Sequence, residues 1–369
     1  MTVERLWANL LLDGFYVIAL CVGAMFFIAT QRATSARWSA GLRRVPEAFM
    51  CALPVFLLLM IPLVAFEGPR TTLFPWARPG AFAHAPAIAG KARYLQTSFV
   101  LARIAVVFAA WLVFAYAFRR ASLAQDAATR AGLRMHERLD RLGAGFVVVF
   151  ALTITAAAYD WIGSLDPNWS STMFAVYIFA GAFVAAIAAV TLATVALMRR
   201  QPLRAVVGTH QLHDLGKMLF AFSIFWTYIW VCQYLLIWYG NIPEEVGHFI
   251  TRTNGRWLPL FVANVLINFV VPFLGLLSVP AKTSPRRLAV IAATVLVGRW
   301  LDLYLLIMPA VSPQPRFGPM EILLAAAYGA LLVLLFRFHA AGAPLVPLND
   351  PVLAADAAAA HPVARRHAA

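Results

Sequence analysis

Residues 159–169 read YDWIGSLDPNW and separate two apolar runs, one ending near Ile162 and the next beginning near Ser171. The insert holds two aspartates and two tryptophans and no Lys or Arg, in a chain whose formal net charge is +14. Asp166-Pro167 favours a tight turn and stops a helix. The runs on either side are each long enough to cross a hydrocarbon core of about 30 Å. The stretch therefore reads as the turn between two membrane-spanning helices.

Outward from this turn the pattern repeats. The chain has 369 residues, of which 62% are hydrophobic and 12% charged, and its mean hydropathy is +0.77. A soluble domain of this length would carry about twice that share of charge. Continuous apolar runs suit helical spans. The predicted fold is all-α, a polytopic transmembrane helix bundle of nine spans at about 10–30, 47–66, 95–117, 143–162, 171–198, 215–239, 257–279, 287–308 and 320–338. Residues 1–339 form one transmembrane helical domain, with no polar stretch long enough for a soluble one. Residues 340–369 are rich in Ala and Pro without a periodic apolar face and are expected to be a disordered tail. The first run, Leu10 to Thr30, is too long for a signal-peptide core and lacks a basic leader, so it is expected to remain as a span.

Nine spans put the termini on opposite sides. Segments on the amino-terminal side hold eight Lys and Arg residues and those on the other side nineteen. The positive-inside rule assigns the second set to the cytoplasm. The amino terminus and the SLDPNW turn then face the periplasm of a Gram-negative inner membrane, and the carboxyl terminus is cytoplasmic. The bases adjoin apolar runs, where they set topology and meet anionic lipid, so no nucleic-acid partner is implied. On composition alone Trp161 and Trp169 suit headgroup-level anchors. Pro54 and Pro62 predict a kinked second span. The strip AGAFVAAIAA at 180–189 lets another helix approach closely.

Ionisable residues within spans are the sharpest functional signals. Arg103 lies inside the third span with no carboxylate three or four residues away, so its partner must come from another helix, or it lines a wet cavity. Arg299 and Asp302 lie near the middle of the eighth span and share a face at i, i+3. The pair reads either as self-neutralising packing or as part of a proton relay. His210, His213, Asp214 and Lys217, in HQLHDLGK, form one stripe at the cytoplasmic start of the sixth span. The stripe reads as a solvated helix start or as the mouth of a proton path. No fourth ligand completes a zinc set there, and no metal site is expected. Asp13 and Asp160 lie near the outer ends of the first and fourth spans. Asn264 and Asn268 share a face of the seventh, which must look inward.

None of the eight histidines falls in mid-span, so a transmembrane bis-histidine haem is not expected. Cys21, Cys51 and Cys232 lie in apolar runs and read as small hydrophobes rather than ligands or disulfide partners. P-loop and dinucleotide-binding glycine patterns are missing. Electron transfer by this chain would need partner subunits or a diffusible carrier such as a quinone.

The stretch YDWIGSLDPNWSSTMFAVYIFAGAFVAA (159–186) resembles the ActF-type membrane subunit of alternative complex III, a bacterial quinol:cytochrome c oxidoreductase. So do LWANLLLDGFYVIALCVGAMFFIA (6–29), HDLGKMLFAFSIFWTYIWVCQYLLIWYGNIPEE (213–245) and the RWLDLY segment at 299–304. The similarity spans about residues 6–310 and falls within the wider NrfD-like, polysulfide-reductase-type membrane subunits. Family members carry a further span before the WANLL segment, so nine spans stand here where ten are expected.

The resemblance implies a pair of four-helix bundles without a tightly bound cofactor and with no catalytic residue of its own. It implies a quinone or quinol as diffusible carrier. The implied partners are a larger NrfD-like paralogue of ActC type, an iron–sulfur subunit, multihaem cytochrome c subunits and small membrane subunits. On that view His210, His213, Asp214 and Lys217 form the cytoplasmic mouth of a proton path. Arg103, Arg299 and Asp302 are its mid-membrane elements, and Asp160 is near its outer exit. Asp13, Trp161, Asp166 and Asn264 are candidates for a quinone site, with Asp166 also at the exit. A quinone-free proton-conducting or structural subunit, and a stand-alone secondary transporter, are the competing readings.

Overall fold

The computed structural model describes residues 3–82, 89–127 and 132–360. All regular structure among them is helical. Nine helices among the described residues are long and apolar enough to cross a membrane: α1 (Val3–Ala33), α2 (Arg44–Ala65), α3 (Thr97–Ala127), α4 (Leu133–Leu165), α5 (Phe174–Leu197), α6 (Thr209–Gly240), α8 (Gly255–Gly275), α9 (Pro285–Ala310) and α10 (Pro319–Ala341). Between α6 and α8 lies a short helix, α7 (Pro243–Thr253). A last helix, α11 (Pro351–Ala360), follows α10. The chain is a multi-pass membrane protein, and each span coincides with an apolar run of the sequence.

The spans form two four-helix bundles with the same cyclic order. In the first, α1 packs on α2 and α4, and α3 packs on the same two. In the second, α5 packs on α6 and α9, and α8 packs on those two. The bundles meet along α1 and α5, and α10 lies against α1 and α2. The small-residue strip of α5 makes that junction. A Cβ at Gly23 of α1 would stand 2.7 Å from the Ala182 carbonyl oxygen and 2.9 Å from the Ala186 Cβ. Close backbone approach of this kind holds apolar helices together where no hydrophobic force between them exists. α1 is accordingly buried along almost its whole length, whereas α8 and α10 expose most of theirs.

Local chemistry shapes the spans. α2 is broken at Cys51–Ala52, with Pro54 opening its second segment and Pro62 inside it, so the predicted kink is a break followed by a proline-bearing helix. Single π turns interrupt α4 at Ala158–Ile162 and α8 at Leu266–Val270. Such turns insert one residue and re-aim the side chains around them, often at functional sites. The first carries Asp160. The second lies between Val265 and Val271 and carries Asn268.

The two ends of the molecule differ. The turn end carries residues 159–173, α7 and the segment 311–318. Here Lys91 donates to the carbonyls of Pro167 (2.7 Å) and Trp169 (3.3 Å). Arg5 forms a two-nitrogen contact with Glu321 at 2.6 and 2.5 Å, and Asn9 of the same α1 stripe adds a third donor at 3.0 Å. At the opposite, base-rich end, Arg43 meets Glu47 (3.1 Å), Asp350 (3.0 Å) and Gln125 (3.0 Å). Arg44 meets Glu47 (2.9 Å) and Asp126.

This network corrects the expected disorder of 340–369. Asn349 takes a positive φ of 53° and donates to the Asp126 carbonyl at 2.9 Å. Asp350 then caps α11 through the Val352 amide (3.0 Å) and is fully buried against Arg43. An Ala/Pro-rich composition hides this, because one Asn-Asp pair supplies the fold-back and the anchor. Residues 361–369 of the expected tail lie outside the described residues.

Candidate functional site

RWLDLY places Arg299 and Asp302 on one face of α9, and that face is turned into the second bundle. Both are buried, at 3% and 5% exposure. Arg299 Nη2 stands 2.7 Å from Asp302 Oδ2, off the line of a hydrogen bond, and its guanidinium lies over the Trp226 ring of α6 at 3.8 Å. The second carboxylate oxygen accepts from Asn264 Nδ2 of α8 at 2.9 Å and from the Tyr177 hydroxyl of α5. Asn268 donates to Asn264 Oδ1 (2.7 Å) and to the Gly298 carbonyl (2.9 Å), locking the asparagine pair to α9. Helices α5, α8 and α9 thus converge on one carboxylate, and α6 reaches the guanidinium beside it through Trp226. A lone buried charge would be expelled or neutralised, whereas one ringed by donors is tolerated.

The cluster is not closed. Nε, Nη1 and Nη2 of Arg299 make no hydrogen bond. Beside them is a cavity of about 20 Å³ lined by Tyr16, Tyr177, Gly181, Arg299 and Asp302 among others. A second, of about 30 Å³, is lined by Tyr177, Gln233, His248, Arg252, Asn264 and Asp302 among others. Each has room for a water molecule, which needs about 10–15 Å³. A third, of about 210 Å³, opens at the turn end and is lined by Asp166, Trp169, Phe174, His248, Thr251, Arg252 and Leu306 among others. Phe174, His248, Arg252 and Leu306 line both of the last two, so these residues form the wall between the turn end and Asp302.

α7 builds that wall. Pro243 opens it, and Glu244 and Glu245 fill its first turn, where they favour the positive end of the helix dipole. His248 and Arg252, four residues apart, are its buried pair. Arg252 donates to the Leu305 (2.7 Å) and Leu306 (3.1 Å) carbonyls near the end of α9 and to the His248 carbonyl of its own helix (2.6 Å). Burial lowers Arg252 to about 10, so it stays cationic at neutral pH. His248 stacks on Trp169 with ring centroids 4.0 Å apart at 15°. Its Nδ1 has no hydrogen-bond partner. Burial first, and then the Arg252 charge, hold its imidazole well below the ordinary histidine range, so the ring is neutral.

The first bundle holds a second acid–base pair. Arg103 of α3 donates to both oxygens of Asp160 of α4, at 3.0 and 2.7 Å, and to the Tyr94 carbonyl at 3.0 Å. Its partner does come from another helix. Arg103 lies toward the Thr97 end of α3, which runs on to Ala127. It stands six residues into that helix, about 9 Å from its start. The two residues expected at separate stages of a proton path are one clamp.

Other expectations divide. Trp161 and Trp169 are not interfacial anchors. They are 2% and 5% exposed, Trp161 lying parallel to Phe108 at 6.2 Å and Trp169 against His248. The turn folds inward and takes both rings into the core. Asp13 is buried and accepts from Trp300 Nε1 at 2.7 Å, with Oδ2 unpaired. His210, His213, Asp214 and Lys217 form the expected stripe at the start of α6. Lys217 and Asp214 pair at 2.6 Å, with side chains 55% and 23% exposed. Trp226, on which Arg299 stacks, follows Lys217 by nine residues, about 13 Å along the axis.

Tyr177, Gln233, His248 and Arg252 were not singled out from sequence. The first two lie in long apolar runs without a distinguishing period. The pair at 248 and 252 had a readable signal, an i, i+4 spacing in a short segment opened by Pro-Glu-Glu.

No family model matches the chain, and no curated protein matches it.

Proposed function

We propose that this chain is a membrane subunit of a quinol-oxidising respiratory complex, and that its second bundle conducts protons between Asp302 and the turn end, which is the periplasmic side. One observation carries the reading: a cavity lined by the buried Asp302 and a cavity at the turn end share a wall of four residues. Quinol oxidation releases two protons with its two electrons, and a buried carboxylate ringed by Tyr177, Asn264 and Arg299 can hold or pass a proton. The excess of bases at the other end supports the orientation. The sequence resemblance at 159–186 and 213–245 supports the assembly: an ActC-type paralogue, an iron–sulfur subunit and multihaem cytochromes would take the electrons. The chain then has no independent activity and acts within the inner-membrane complex.

Cavity size favours a quinone-free role for the surroundings of Asp302. The spaces that touch Asp302 measure about 20 and 30 Å³, and ligand sites begin near about 300 Å³. Asn264 is committed to Asp302 and to Asn268, so it is no longer a quinone ligand in this reading, and quinol is oxidised on a partner. His210, His213, Asp214 and Lys217 are retained as the cytoplasmic mouth.

The assembly purified through a tag on this chain, reconstituted in liposomes and driven by a short-chain quinol and cytochrome c, tests the proposal. Asp302→Asn is expected to lower protons released per electron more than it lowers turnover. Unchanged turnover with an unchanged ratio removes Asp302 from the path. A photoreactive quinone that labels this chain beside Asp302 would reject the quinone-free role.

A further inference from the structure

The two cavities on the route from Asp302 meet at the side chains that line both. Of the four residues lining both, Phe174 and Leu306 carry no proton-transferring group. Arg252 is held by three carbonyls and remains protonated. His248 is the one whose neutral ring can take up a proton and release it again. Resting on the conduction reading above, we infer that His248 is the proton-transferring gate of this wall.

Three features fit it for the task. Its Nδ1 is buried and unpaired, so accepting a proton breaks no existing bond. The ring is neutral in its resting state, as burial and Arg252 require. A neutral imidazole has one free lone pair and one N–H, the arrangement a relay needs. Trp169 lies parallel to it at 4.0 Å, so a half-turn about Cβ–Cγ keeps the ring in the same stacked plane while Nδ1 takes the place of Cδ2 and Nε2 that of Cε1.

The step balances without any oxidant or reductant. A proton arriving from the Asp302 chamber bonds to the unprotonated ring nitrogen. The imidazolium makes the half-turn in its stacked plane, and the proton it took up leaves into the outer cavity, toward Asp166 and Thr251. The ring, neutral again and in its starting tautomer, then turns back. The groups facing the ring set the direction. Arg252, on its own helix, disfavours a resident imidazolium and keeps the charged state brief. Asp166, on the turn, draws the proton outward. Asp302 of α9 and Tyr177 of α5 are the proton-bearing groups on the inner side, and Gln233 of α6 and Asn264 of α8 complete its polar wall.

The test uses the whole assembly in liposomes. His248→Phe preserves an aromatic ring against Trp169 and removes both nitrogens. It is expected to lower proton release per electron on the order of tenfold or more, as loss of a general acid–base group does. His248→Ala is expected to lose the same activity and to regain several-fold on addition of imidazole, which can enter beside the 210 Å³ cavity. Rescue should follow the neutral form, rising as pH passes above about 6.5–7. His248→Phe should show none, since the ring slot is filled. Wild-type proton release in His248→Phe, or His248→Ala that no imidazole restores, overturns the gate. If Asp302→Asn is still defective in that case, the conduction route stands without His248. If Asp302→Asn is normal as well, the route itself fails.

Discussion

The two bundles each bury an aspartate against an arginine, and they do so in opposite ways. In the first, Arg103 spends every nitrogen: Nε and Nη2 on Asp160, Nη1 on the Tyr94 carbonyl. The Tyr94 and Phe99 rings cover its face at 3.7 and 4.5 Å. In the second, Arg299 makes one off-line contact with Asp302, stacks on Trp226 and leaves its nitrogens without hydrogen bonds. Asp302 instead collects donors from α5 and α8. The first is a saturated clamp between two helices. The second keeps unmet hydrogen-bonding capacity beside cavities with room for water. Burial of an ion pair alone therefore says little about conduction. What separates the pairs is whether any polar atom remains to be answered by something that can move.

The sharpest way to break the comparison is to remove one acid from each pair. Asp302→Ala strands a guanidinium that is 3% exposed, and the expected loss of stability is about 3–5 kcal/mol. Asp160→Ala should lose less, about 1.5–3 kcal/mol. Arg103 is already 15% exposed at the side chain and lies near a helix start, so it can turn toward the headgroups. Equilibrium unfolding of the full chain in one detergent measures both. Equal losses would erase the distinction between closed and open pairs.

A smaller change in stability with a larger functional contrast comes from replacing each pair whole. Buried ion pairs exchanged for apolar residues of similar volume are often neutral or stabilising by about 1–4 kcal/mol. Arg299→Met with Asp302→Leu should therefore fold at least as stably as the parent and yet lose proton release per electron. Arg103→Met with Asp160→Leu should fold as well and keep that ratio. A first-bundle swap that abolishes release equally would make the clamp part of the route.

The sequence carried much of this contrast, unevenly. Span number and placement were legible because a hydrocarbon slab demands continuous apolar runs, and the Arg299–Asp302 pair because i, i+3 geometry needs no tertiary knowledge. Asn264 and Asn268 were expected to face inward and do. The partner of Arg103 was legible only as a requirement, since nothing local names Asp160. The wall of the route was missed. Its residues come from α5, α7 and α9, and α7 was passed over because an amphipathic helix of eleven residues carries no span signal. Trp161 and Trp169 were misplaced because a tryptophan beside a turn reads alike whether the turn lies on the surface or folds into the bundle.

The mildest probe replaces one glycine in each bundle. A Cβ at Gly298 would stand 2.6 Å from Asn268 Oδ1 and 2.7 Å from Ile267 Cγ2, inside contact distance of the π turn that holds the asparagine pair. Gly298→Ala must push α8 away from α9, and overpacking of this size loses about 1–3 kcal/mol. The displacement draws Asn264 off Asp302, so proton release per electron should fall along with stability. Gly145 of α4 is exposed, and a Cβ there meets nothing nearer than the Phe114 ring at 3.8 Å. Gly145→Ala should gain up to about 1 kcal/mol from helix propensity alone and leave the ratio untouched. Opposite signs of the stability change in the two bundles, with a functional change only in the second, are what an open site built on a tight α8–α9 contact requires. A Gly298→Ala protein as stable and as active as the parent would show that this contact has slack, and that Asn264 is not held where Asp302 needs it.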